Sequence, residues 1–193
     1  MASIMAQTLK DKQSSLRQFQ ENLTRRIEEV SEAPQNTLLA FFAGSSYWLI
    51  DLADAGEIMP VPELYSVPLA AHWFRGLANV RGTLFGVTDF AAFEGAQITP
   101  VENASRLLLI GAQKGSNCAI LVSSILGMKN TQDLKSQQMF SDPNRPWIMN
   151  KYTDSENKDW YLLDAAKFLT SPKFLNAGAE FSISSNAQKT ASI

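Results

Sequence analysis

The chain has 193 residues, of which 45% are hydrophobic and 19% charged, a mixture that folds as one ordinary domain or two small ones and excludes extended disorder. Its formal net charge is −2, and between Pro34 and Gln113 the only basic residues are Arg75, Arg81 and Arg106. No basic face is available to neutralise phosphates, so nucleic-acid binding is excluded as a partner class.

In chain order, residues 1–33 carry Leu9, Leu16, Leu23 and Val30 at heptad spacing, with Phe19 and Ile27 completing the stripe. The pattern predicts an amphipathic N-terminal helix, ended before Pro34, that packs on the protein's own body or docks a partner. Met1 to Lys10 lacks the basic start and apolar stretch of an export signal. The longest apolar run, Leu38 to Ala43, is too short to cross a bilayer, so a cytoplasmic protein without direct membrane insertion is expected.

From Thr37 the period shortens to two. Leu38–Ala43 and Tyr47–Leu52 read as strands around a Gly44-Ser45-Ser46 turn, and Gly56–Val61 as another strand ended by Pro60 and Pro62. Leu77–Val80 and Thr83–Asp89 flank Arg81-Gly82, a second hairpin. Arg106–Ala112 and Asn117–Val122 flank a third. Trp147–Tyr152 and Trp160–Leu163 complete the strands, and Asp164 caps a short C-terminal helix to Leu169. The polar stretch Thr131–Pro146 reads as a long loop with one short helix, and the Ser/Ala/Asn-rich residues 173–193 as a disordered tail. Many short strands joined by tight turns predict a mainly β barrel or sandwich.

Chemistry is hard to find. Cys118 cannot form an internal disulfide and, inside Cys118-Ala119-Ile120-Leu121-Val122, reads as a buried inert thiol. His72 is the one histidine, no serine sits in a nucleophile elbow, and no set of metal ligands has useful spacing. Gly76, Gly82 and Gly86 fit no phosphate loop. Asp51, Asp54, Glu57 and Asp89 leave a carboxylate-pair hydrolase open, with nothing pointing to it. Trp48, Trp73, Trp147 and Trp160 read as core, and Leu77, Val80, Leu84 and Val87 as a mixture of core and surface.

The most specific segment runs from Trp73 to Phe90. Gly76, Leu77, Asn79, Val80, Arg81, Gly82, Val87 and Asp89 resemble the signature of CheW-like domains, a Gly-aliphatic-x-Asn-aliphatic-Arg-Gly core before a strand ending in Asp. Trp48–Leu52 with Glu57-Ile58, then Val67-Pro68, Arg106–Ile110 with Ala119–Val122, and Leu162-Leu163-Asp164 fall in the matching order. Gly86 and Ser123 depart from it, where proline and aspartate are common, and residues 131–157 match poorly. The divergence suggests a twitching-motility, PilI-like branch. The resemblance places a CheW-like domain at residues 34–172. It implies two small five-stranded β-barrel subdomains sharing a core, no catalysis and no cofactor. It also implies an adaptor that joins the cytoplasmic tip of methyl-accepting chemoreceptors to the regulatory domain of a CheA-type histidine kinase. On this reading partner binding falls to Arg81, Glu57, Asn79, Val80 and Gly82, with Arg81 paired to Glu57. A turn alone would favour Asn or Asp over Arg at position 81. A small-molecule-binding β-barrel sensor is the competing reading, and it requires a sizeable cavity.

Overall fold

The computed structural model describes residues 37–111 and 115–178; the helix expected over residues 1–33 and the end of the tail, 179–193, lie outside them. The strands are β1 (Thr37–Ala43), β2 (Ser46–Asp51), β3 (Ala55–Pro60), β4 (Leu64–Tyr65), β5 (Phe74–Val80), β6 (Thr83–Asp89), β7 (Arg106–Ile110), β8 (Cys118–Val122), β9 (Ser124–Asn130), β10 (Ser136–Met139), β11 (Ile148–Thr153) and β12 (Asp159–Leu163). Three short helices join them: α1 (Phe90–Phe93), α2 (Ala165–Thr170) and α3 (Pro172–Leu175). One sheet has the order β10-β11-β12-β2-β1-β9 and the other β3-β7-β8-β6-β5-β4. Each sheet holds one parallel pair at its centre, β12 with β2 and β8 with β6, and is otherwise antiparallel. The chain thus starts one half, builds the whole of the other from β3 to β8, and returns to finish the first.

Each half has six strands where five were expected. The extra members are short or polar: β4 is a two-residue pairing on β5, and β10 is the sequence Ser-Gln-Gln-Met at the edge beyond β11. The expected loop Thr131–Pro146 therefore contains a strand as well as a single 3₁₀ turn over Thr131–Asp133. The start of the expected tail is ordered too, since α3 leads to Ala177 and Gly178, which pair with Ala71 and Ala70.

The apolar runs follow from burial on both faces. Alternate side chains of a strand point to opposite sides. From β1, Leu39, Phe41 and Ala43 enter a central cluster, whereas Leu38 and Ala40 enter the interior of the first barrel with Leu49, Tyr152, Trp160 and Leu162. From β8, Cys118, Ile120 and Val122 join the same central cluster, and Ala119 and Leu121 fill the second barrel with Ala78, Val80, Val87 and Leu107. An uninterrupted Cys-Ala-Ile-Leu-Val strand is what such two-sided burial selects. α1 contributes Phe90 and Phe93 to the central cluster and α2 contributes Phe168, with ring centroids 4.9 Å apart between Phe93 and Phe168 and 4.7 Å between Trp48 and Phe90. All four tryptophans are buried, as expected.

The helix ends match the capping chemistry. Asp164 Oδ1 accepts the Lys167 N–H at 3.0 Å to start α2, and Ser171 caps α3 ahead of Pro172. Gly76, on β5, has φ +112°, and a Cβ there would lie 2.0 Å from the Tyr65 carbonyl oxygen. Gly76→Ala is accordingly expected to lose at least about 2–3 kcal/mol in urea unfolding. Gly82→Ala has a similar backbone but open space around it, and is expected to lose only about 1–2 kcal/mol.

Candidate functional site

The hairpin between β5 and β6 closes in two residues, with Val80 opposite Thr83 and Arg81 and Gly82 at φ +51° and +86°. Two successive positive φ angles make a type I′ turn, whose twist matches the flanking strands and whose favoured residues are Asn and Gly. Asn79 Oδ1 accepts the Gly82 N–H at 2.8 Å and fixes the turn. An arginine held in the left-handed region is not what the turn selects.

Its partner lies across the half. In a flat sheet β3 and β5 would stand four strand spacings apart, about 19 Å. Yet Arg81 Nη2 donates to Glu57 Oε1 at 2.7 Å, so this sheet curls until β3 meets the β5–β6 turn. Gly56 and Glu57 sit where β3 slips register against β7 between Ala55 and Ile58, a bulge that re-aims the Glu57 side chain. Arg81 is 79% exposed and Glu57 36%, so the pair contributes no more than about 1 kcal/mol to stability. Leu84, on β6, and Ile58, next to Glu57 on β3, are both exposed.

Of the five site residues read from the sequence, Arg81 and Glu57 are brought together, while Asn79 and Gly82 build the turn that carries Arg81. Val80 lies elsewhere: it is buried in the barrel interior with Val87 and Leu107, because its side chain alternates away from Asn79, and it supports the turn from beneath. Leu77 is half-buried and Val87 fully buried.

Two of the other candidate carboxylates are engaged with their own neighbouring backbone and side chains. Asp89 is fully buried, where it accepts the Ala92 N–H at 3.2 Å, the Thr99 N–H at 2.8 Å, the Thr99 hydroxyl at 2.9 Å and Arg75 Nη1 at 3.2 Å. Asp51 Oδ1 accepts the Ala53 N–H at 2.8 Å. Among the described residues no group of three or more His, Cys, Asp or Glu side chains is placed to hold a metal ion, and no helix is long and apolar enough to cross a membrane. His72 is exposed. The barrel interiors are filled by side chains, and an open surface cavity of about 380 Å³ lies outside them, against Gly44, Ser45, Gln97, Thr99 and Ser123. Two further anchors, Arg75 on Asp89 and the Glu94–Arg145 pair, carry no motif that sequence reading could have found.

This curled second sheet, its bulged β3 and its Asn-Val-Arg-Gly turn before a strand ending in a buried Asp are the features of a CheW-like domain. The chain belongs to the CheW-like domain family, which matches residues 37–173. A curated relative, Protein PilI of Pseudomonas aeruginosa, is 25% identical over 92 residues, covering 48% of this chain and 51% of that protein. The chain thus spans about half the length of the curated relative it matches. The crystal structure of the scaffolding protein TtCheW from Thermoanaerobacter tengcongensis superposes with a TM-score of 0.56 at 13% identity, over 66% of this chain and 88% of that one, and shows the same fold. Gly86, where the family often has proline, makes room for Phe74, whose ring would lie 3.3 Å from a Cβ at that position.

Burial pushes the Cys118 thiol up to about 12. The folded protein is expected to leave a disulfide reagent unreacted at pH 8, with one thiol titrating only after denaturation. Arg81→Asn is expected to keep or raise the unfolding free energy, by up to about 1 kcal/mol, since Asn suits the turn and the lost surface pair contributes little. Urea unfolding of that variant reads the balance directly.

Proposed function

We propose that this chain is a non-catalytic adaptor of chemotaxis-type signalling. It joins the cytoplasmic tip of methyl-accepting receptors to the regulatory domain of a CheA-type histidine kinase, in the pathway that controls type IV pilus twitching motility. The observation that carries the reading is the Arg81–Glu57 pair, an ion pair on a strained type I′ turn that stabilises the fold little and presents a fixed polar edge to solvent. A side chain that neither the turn nor the core requires is retained for what it meets outside. The matched family is one of non-catalytic scaffolds, and the likeness to Protein PilI supports the pilus pathway. On this reading the protein works in the cytoplasm and reaches membrane-associated arrays through its partners.

The filled barrel interiors disfavour a small-molecule sensor, which needs an enclosed apolar cavity. Titration calorimetry against the regulatory domain of the CheA-type kinase from the same organism tests the adaptor. Wild-type protein is expected to bind with micromolar or tighter affinity, about −8 kcal/mol or better, and Arg81→Glu to bind more weakly. Arg81→Asn, folded by the criterion above, separates lost binding from lost stability. No binding by folded wild-type protein overturns the reading.

A further inference from the structure

Glu94 caps the C-terminal end of α1 and is 8% exposed. Its Oε2 accepts Arg145 Nε at 2.8 Å and also Arg145 Nη2, and its Oε1 accepts the Trp147 indole N–H at 2.6 Å. The Arg145 guanidinium carbon lies 5.6 Å from the Trp48 ring centroid, 5.6 Å from Tyr161 and 5.8 Å from Phe140. A planar cation thus sits among three aromatic rings with a buried carboxylate at its end, the arrangement by which proteins bind guanidinium groups of other molecules.

The walls and the occupant belong to different parts of the chain. Trp48 comes from β2, Tyr161 from β12 and Glu94 from α1. Phe140, Arg145 and Trp147 come from the connection between β10 and β11, which is built of turns: Asn144 N–H donates to Asp142 Oδ1 at 2.9 Å, Arg145 N–H to the Asp142 carbonyl at 3.0 Å and Ile148 N–H to the Arg145 carbonyl at 3.1 Å. If residues 140–146 swing away, Glu94 loses both Arg145 donors together and keeps the Trp147 indole N–H, because Trp147 is held in the central cluster against Phe93 and Phe168. Lys173, whose Nζ donates to the neighbouring Phe93 carbonyl, is the nearby cation that stays. A buried carboxylate that loses its paired guanidinium is disfavoured, and Lys173, already engaged on the Phe93 carbonyl, does not fill the space among the rings, so the open cage favours a replacement planar cation.

We propose that Glu94, Trp48 and Tyr161 form an arginine receptor whose resident ligand is the chain's own Arg145. Residues 140–146 are then a latch that an arginine on a partner segment can replace. Tethering gives Arg145 a high effective concentration, so a free guanidinium displaces it only in large molar excess, and an arginine on a segment that makes further contacts does so at lower concentration.

The test uses the full chain carrying Arg145→Ala, with thermal unfolding and the tryptophan indole N–H resonances followed during titration with ethylguanidinium chloride. Sodium chloride and ethylammonium chloride at equal ionic strength are the controls. The expected result is a saturable rise in Tm and a saturable shift of the Trp48 resonance with ethylguanidinium, severalfold weaker with ethylammonium. A Tm that follows only ionic strength, with no saturable shift, overturns the proposal and makes the pair a fixed structural ion pair. Should Arg145→Ala fail to fold, hydrogen exchange of the wild-type chain decides. Ethylguanidinium is expected to speed exchange severalfold at the amides of Arg145 and Ile148 while those of β1 and β8 stay unchanged. Uniform acceleration, or none, overturns the proposal.

Discussion

The buried carboxylate of Asp89 is the constraint around which this fold is arranged. A charge with no solvent contact is tolerated only when several donors replace its water, and Asp89 gathers them from three directions. The Ala92 N–H comes from the first turn of α1, the Thr99 backbone and hydroxyl from the connection to β7, and Arg75 from β5. The end of β6, the start of α1 and the following connection are thereby fixed to one another. Since α1 is Phe-Ala-Ala-Phe and wholly buried, the same carboxylate places Phe90 and Phe93 at the centre of the aromatic cluster that joins the two barrels. Removing the carboxylate would leave the Thr99 N–H and hydroxyl without their partner, Arg75 with the Thr99 carbonyl alone, and α1 without its cap. The aspartate of the signature is therefore explained by architecture, with no need of a role at the surface.

The Arg81–Glu57 pair follows the opposite logic. It is exposed, it contributes little to stability, and it sits on a backbone conformation that arginine does not favour. One signature segment thus contains two ionised groups selected for different reasons, eight residues apart on the two ends of β6. The first would be costly to lose because it is buried. The second could be lost with little effect on folding, which leaves it available for the partner contacts proposed above.

Much of this was legible in the sequence, and what was missed has physical causes. The hairpins at Gly44-Ser45 and Arg81-Gly82, the two-sided β8 and the Asp164 cap are local, and each was read from turn chemistry or from continuous apolar runs. β9 was missed because Gly127, at φ +101°, interrupts it beside a register slip, and Leu126, Gly127 and Met128 are exposed in succession, which erases the alternation. β10 is Ser-Gln-Gln-Met and has no apolar face; it is a strand only because β11 offers an edge to pair with. Glu57 and Arg81 stand 24 residues apart and meet only after the sheet has curled, so their pairing was accessible through family resemblance and not through periodicity. Val80, named with them, belongs to the interior by the alternation of β5 itself.

The path of the chain bears on how an adaptor of this shape can act. Two domains joined by single linkers are expected to move against each other unless the interface between them is large and apolar. Here the chain leaves the first barrel after β2, completes the second from β3 to β8, and re-enters the first at β9, where the Ser123 N–H donates to the Phe42 carbonyl at 3.0 Å. The central cluster that the two halves share is larger than the interior of either barrel. Two crossings and a shared core tie the halves into one body. On the proposed function, a body tied together in this way holds its partners at a fixed mutual geometry, because the shared core leaves the two halves no hinge to move about.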